Sequence, residues 1–237
     1  MTPATIVCLM TSIALAEELL LLAYDDQTGK ATGSRIGLDL GMAAAVLVDL
    51  ALAGRIAYVA GNLVVNDPTP TGDPIADRIL AKAAEDDPHT PAQWVQRLRH
   101  RLRQHVLDDL ITRGVIRDED ETQMGGVIHL HRYPTTDPAF EAEIRKRLAE
   151  ALITDAVPDE RTAALCTLLV ATRMEPALRL PPEESARAHE RLEKIASGAG
   201  FSGDANLENS IVRPSVALVV ATLGNAIRAA LGAPRVV

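Results

Sequence analysis

Residues 37–55 read GLDLGMAAAVLVDLALAGR, and their apolar character runs around every side of a helix rather than along one stripe. A helix without a polar face cannot sit at a surface, so this stretch predicts a helix from about Leu40 to Ala53 at the centre of the domain. Gly54 follows in the position where a left-handed residue stops a helix. The fold must therefore be built around one buried rod.

What surrounds that rod must be aliphatic. Hydrophobic residues make up 47% of the 237, enough for a sizeable core, yet aromatics are only 3% and Trp94 is the sole tryptophan. Alanine and leucine interdigitate better between helices than between sheets. The formal charge of −8 argues against broad attraction to nucleic acid or to an anionic bilayer, so any basic site has to be concentrated. Cys8 and Cys166 offer no disulfide framework, which favours a reducing, cytoplasmic setting. Lysine stands only at Lys30, Lys82, Lys146 and Lys194 while arginine is abundant, a bias associated with GC-rich bacterial genes.

The N-terminal stretch Ile6–Ala16 resembles a signal peptide in its apolar run and small-residue end, but no Lys or Arg precedes it. Glu17 and Glu18 break it well short of the ~20 residues that a spanning helix needs. LAEELLLLAY is expected instead to form an amphipathic helix, Ser12 to Tyr24, with its leucines on the core. It is not expected to cross a membrane.

Downstream, DDQTG at 25–29 reads as a turn, with a short extended piece through Ala31. RIAYVAGNLVVNDP reads as a hairpin turning at Gly61-Asn62. A helix from Pro74 to Glu85 is capped by Asp73, and a longer one starts at Thr90-Pro91 and stops at Gly114. GVIRDEDETQMGGVIHLHRYP suggests a second hairpin with an acidic tip at Asp118 to Gln123. Further helices are expected at Phe140–Ile153, Asp159 to about Leu178, Pro182–Ala196 and Pro214–Ala230. The expectation is one mainly α domain spanning 1–237, around a central bundle, with one or two short β-hairpins.

Few motifs point to chemistry. GAGFSG at 198–203 spells GxGxxG, but a helix precedes it and a polar loop follows, so a loop is the better reading. His129 and His131 share a strand face and could hold a metal with a third ligand, yet no companion motif accompanies them. No nucleophile elbow or P-loop is present, and Asp25-Asp26, Asp86-Asp87 and Asp108-Asp109 read as solvated turns or helix faces. No enzymatic activity, metal or cofactor is expected.

The one concentrated basic feature is RLRHRLRQH, 97–105. On a helix His100 and Arg103 are i, i+3 neighbours, and Arg97 and Arg101 share an adjoining stripe. Guanidinium groups so placed suit a phosphate, while His100 and His105 add charge when protonated. The competing reading is an exposed helix face balanced by nearby acids.

Three segments in order, LAEELLLLAYDDQTG (15–29), VLVDLALAGRI (46–56) and LDDLITRGVI (107–116), resemble the Golgi phosphoprotein 3 family. The similarity continues through RTAALCTLLVATRM and VALVVATLGNAIRAALG and so covers nearly the whole chain. The resemblance implies a mostly α-helical, non-catalytic domain that binds phosphatidylinositol 4-phosphate at a membrane surface. The head-group pocket implied by the family uses a Trp, an Arg in the apolar helix and two further Arg at i, i+3. Those positions fall here at Ser34, Ala43, His100 and Arg103. Arg103 and His100 are therefore the expected head-group residues, with Arg35, Arg99 and Arg101 as neighbours able to substitute.

The reading this supports is a peripheral, cytoplasmic adaptor reversibly attached to the membrane through an anionic lipid head group, with an unnamed protein partner and no nucleic acid. Two others stay open. A helix ending RGVI before a hairpin also fits a winged-helix DNA-binding regulator, against which DEDE at 118–121 would set acid where a wing meets phosphate. The third is a protein-interaction scaffold that has lost the lipid site.

Overall fold

The computed structural model describes residues 13–25, 33–123, 128–154, 157–180, 182–197 and 214–232. The architecture is mainly α, with eight helices and two antiparallel hairpins among the described residues. The turn at 25–29 beyond Asp25, the extended piece through Ala31 and the GAGFSG stretch lie outside them.

The apolar rod is helix α2, Arg35–Leu52, which packs against α1 (Leu15–Ala23), α3 (Pro74–Glu85), α4 (Pro91–Thr112), α6 (Glu160–Thr172) and α8 (Pro214–Gly232). It starts five residues before the expected Leu40 because Ser34 caps it: the Ser34 Oγ accepts from the Gly37 N–H at 3.2 Å. Its first two turns contain Gly37 and Gly41, poor helix formers on propensity alone. Packing explains them. A Cβ on Gly41 would lie 2.5 Å from Thr172 Cγ2 and 2.7 Å from Leu19 Cδ2, so the missing side chain lets α2 touch α6 and α1 at once.

Helix α1 departs from an amphipathic pattern. All nine of its residues are buried, Glu17 and Glu18 included. The leucine run faces the core on every side, and the two glutamates are held by arginines from distant elements. Among the described residues only α8, over Ser215–Gly232, is long and apolar enough to cross a bilayer by length and composition. Val216, Val219, Val220, Leu223 and Ile227 put one of its faces into the core at helical spacing.

The first hairpin pairs β1 (Ile56–Val59) with β2 (Asn62–Val65), and Val59 faces Asn62. Its turn is Ala60-Gly61, both at positive φ (50° and 91°), one residue earlier than the sequence suggested, which leaves Asn62 in the ladder. In the second, β3 (Glu119–Gln123) pairs with β4 (Ile128–Arg132). The acidic run is thus strand rather than tip, and the connecting residues lie outside those described. Helix α5 (Pro138–Ile153) and helix α7 (Pro182–Ala196) match expectation. Helix α6 stops at Thr172 because Arg173 turns left-handed (φ 59°), and a single 3-10 turn at Glu175–Leu178 replaces the last stretch of the expected helix.

Candidate functional site

Helix α4 begins with a reciprocal cap. Thr90 Oγ accepts from the Gln93 N–H at 3.3 Å, and the Thr90 N–H donates to Gln93 Oε1 at 2.9 Å. Trp94, Val95, Leu102, Val106, Leu107 and Leu110 are buried along it. The helix does not run through unbroken. His100 takes an extended ψ of 124° and Arg101 a left-handed φ of 66°, so α4 is two helical segments joined at a bend. A non-glycine residue in that region costs about 1–2 kcal/mol, and such strain gathers where a backbone is held for a purpose.

The arginines around the bend go to two places. Arg97 stays on the first segment, where it pairs with Asp86 at 2.7 Å, contacts His89 and lies over the Trp94 ring at 5.4 Å. It obeys the balanced-surface reading. Arg99, His100, Arg101 and Arg103 turn instead into a hollow of about 270 Å³, completed by Gln104 and by Arg35 and Asp39 from the first turns of α2. That size is near the lower end of small-molecule pockets, ~300–1,000 Å³. Four arginines and one aspartate line the hollow. Arg103 Nη1 lies 3.4 Å from Asp39 Oδ1, and the Nε of Arg99 is buried with no hydrogen-bond partner. Tyr24 borders the same field: burial pushes its hydroxyl up from the usual range, while Arg103 and Arg35 pull it back. Its ring meets Tyr133 edge-on at 5.4 Å.

A second polar cluster is internal. Arg161 donates to Glu18 Oε1 at 3.0 Å, to Asp49 Oδ1 at 2.9 Å and to the Ile13 carbonyl. Asp49 Oδ2 accepts the Leu15 N–H at 2.8 Å, Glu18 also takes Arg147, and Glu17 takes Arg113, which closes on Asp109 at 2.8 Å. Burial lifts the Asp49 carboxyl to about 6 against the pull of Arg161, and it lifts Glu17 as well. Every one of these carboxylates has a cationic partner, so the cluster ties α1 to α2, α4, α5 and α6. It is cohesion between helices.

The family model for Golgi phosphoprotein 3 (GPP34) matches residues 15–229, from the first residue of α1 into the last turn of α8. The chain belongs to the Golgi phosphoprotein 3 family. No curated protein matches it.

Within this Golgi phosphoprotein 3 member the four carried-over positions have separate fates. Ser34 caps α2. Ala43 is fully buried in the rod and is not among the residues lining the hollow. His100 and Arg103 do line it, and so do the substitutes Arg35, Arg99 and Arg101. The structure therefore brings all five expected residues together, although through a bend and not through an uninterrupted helical stripe. His129 and His131 lie on β4 opposite Thr122 and Asp120, and their side chains are outside the described set.

Sequence reasoning missed Asp39 and Gln104 in the hollow. The signal for Asp39 was its i, i+4 spacing from Arg35, visible only once α2 is known to start at Arg35. It also missed the arginine partners of Glu17, Glu18 and Asp49. Those lie 96, 129, 143 and 112 residues away, beyond any local pattern.

Proposed function

We propose that this protein is a non-catalytic peripheral adaptor that docks on a cytoplasmic membrane surface by holding an anionic lipid head group, an inositol phosphate such as that of phosphatidylinositol 4-phosphate, in the hollow between α2 and α4. One observation carries the reading: four arginines from two helices line one cavity. Guanidinium groups recognise phosphate oxygens through paired charge-assisted bonds. The resemblance to the Golgi phosphoprotein 3 family implies the same choice of partner. A net charge of −8 makes the rest of the surface repel an anionic bilayer, so attachment is weak, reversible and salt-sensitive. The DNA-binding alternative is disfavoured because the hairpin after α4 carries Glu119, Asp120 and Glu121 on β3.

Vesicle flotation tests the reading. Phosphatidylcholine vesicles that contain phosphatidylinositol 4-phosphate should retain the protein at low salt and release it at physiological salt, whereas phosphatidylcholine alone should not retain it. The double variant Arg99→Gln, Arg101→Gln should lose retention, since each charge-assisted contact contributes ~1.5–3 kcal/mol. Equal failure of both vesicle types at low salt rejects lipid docking.

A further inference from the structure

The hollow contains its own anion. Asp39 lies on α2 one turn beyond Arg35, and its carboxylate lies 3.4 Å from Arg103 inside the hollow. The pair is loose. Its 3.4 Å separation exceeds the ~2.7–2.9 Å of a closed charge-assisted bond, and the neighbouring pairs Arg97–Asp86 and Arg113–Asp109 close to 2.7 and 2.8 Å. Both members are largely sheltered from water, with side chains 15% and 24% exposed. A long contact in a sheltered place is one that a stronger anion can displace.

We infer that Asp39 is a built-in competitor for Arg103, which must be displaced before the hollow accepts a phosphate monoester and which thereby sets the threshold of anion binding. The inference rests on the head-group reading above and adds to it how occupancy is controlled. With Arg103 empty, the carboxylate neutralises one guanidinium and spares it an uncompensated charge in a sheltered site. When a ligand arrives, Asp39 loses its partner and then repels the bound anion, so it costs affinity twice. A phosphate monoester carries about 1.5–2 negative charges and several acceptor oxygens, and can offset both losses by engaging the remaining arginines. A singly charged head group has far less to offset them with. Asp39 acts through Arg103 and is a positioning residue, not a ligand contact.

The experiment is a double-mutant cycle on the full chain, comparing wild type, Asp39→Asn, Arg103→Gln and the double variant. Binding is read on phosphatidylcholine vesicles containing phosphatidylinositol 4-phosphate and, in a second arm, by titration of inorganic phosphate. Removing one charge about 4 Å from a bound anion in a partly wet site should tighten binding on the order of tenfold. The same change in the Arg103→Gln background should give about threefold or less, because the competitor then has no arginine to occupy. That pattern supports the inference. An unchanged affinity, or an equal gain in both backgrounds, overturns it, the latter because it would report only the general field. If no variant binds vesicles, lipid docking falls, and the phosphate arm decides Asp39 by the same two criteria. Asp39→Ser replaces Asp39→Asn should the latter fail to reach the wild-type melting temperature, followed by Trp94 fluorescence.

Discussion

Replacing Arg161 by Met removes a side chain that reaches three sheltered acceptors at once, and its cost can be worked out from the structure. The guanidinium bonds Asp49 at 2.9 Å, Glu18 at 3.0 Å and the Ile13 carbonyl. Afterwards Glu18 keeps Arg147, but Asp49 keeps only the Leu15 N–H. Leaving a buried charge without its cation costs ~3–5 kcal/mol. For a chain of this size about 2–4 °C are lost per kcal/mol, so the melting temperature should fall by roughly 6–20 °C. Urea denaturation followed by Trp94 fluorescence measures the free energy directly.

The pH dependence makes the test sharper. In the wild type the Asp49 carboxyl sits at about 6, above its usual 3.8. The folded state therefore keeps a proton that the unfolded state has released, so Asp49 contributes stability below 3.8 that is lost as pH rises through 6. Arg161 is what pulls that carboxyl down, so Arg161→Met pushes it higher and permits protonation of the orphaned group in mild acid. The deficit should accordingly be smaller at pH 5 than at pH 8 (on the order of 1 kcal/mol or more apart), and Asp49→Asn should recover part of it. A loss below about 1 kcal/mol, or one as large at pH 5 as at pH 8, would refute the view that this network ties α1 to the body.

Gly41→Ala should cost about 1–3 kcal/mol by equilibrium denaturation, because its methyl group meets Thr172 and Leu19 closer than carbon atoms tolerate. Arg101→Gly should hold stability within about 1 kcal/mol while weakening vesicle retention, whereas Arg101→Val should lose about 1–2 kcal/mol at the left-handed φ of 66°. Cys166, fully buried and with its thiol pushed up to about 12, should stay unlabelled by iodoacetamide in the native state at pH 8 and react on unfolding, as read by peptide mass spectrometry.

Periodicity and punctuation are local quantities, and what depended on them was legible. The largely apolar stretch of α2 required a buried rod, Asp73 and Thr90-Pro91 marked helix starts, and the arginine-rich run marked where phosphate chemistry would be sought. Local patterns could not show the bend at His100 and Arg101. Nothing in RLRHRLRQH breaks a helix, and the left-handed turn is held by burial on both sides of it. Nor could they show that Arg97 goes to Asp86 while Arg99, Arg101 and Arg103 join Arg35, since those neighbours come from other elements, the end of α3 and the start of α2.

The amino-acid order by itself thus determined the helices, the aliphatic core and the family, because each follows from residues near one another along the chain or from their sequence in order. Tertiary structure alone decided which charges meet. Glu18 finds Arg161 across 143 residues and Asp39 finds Arg103 across the α2–α4 contact, and electrostatic energy depends on distance in space.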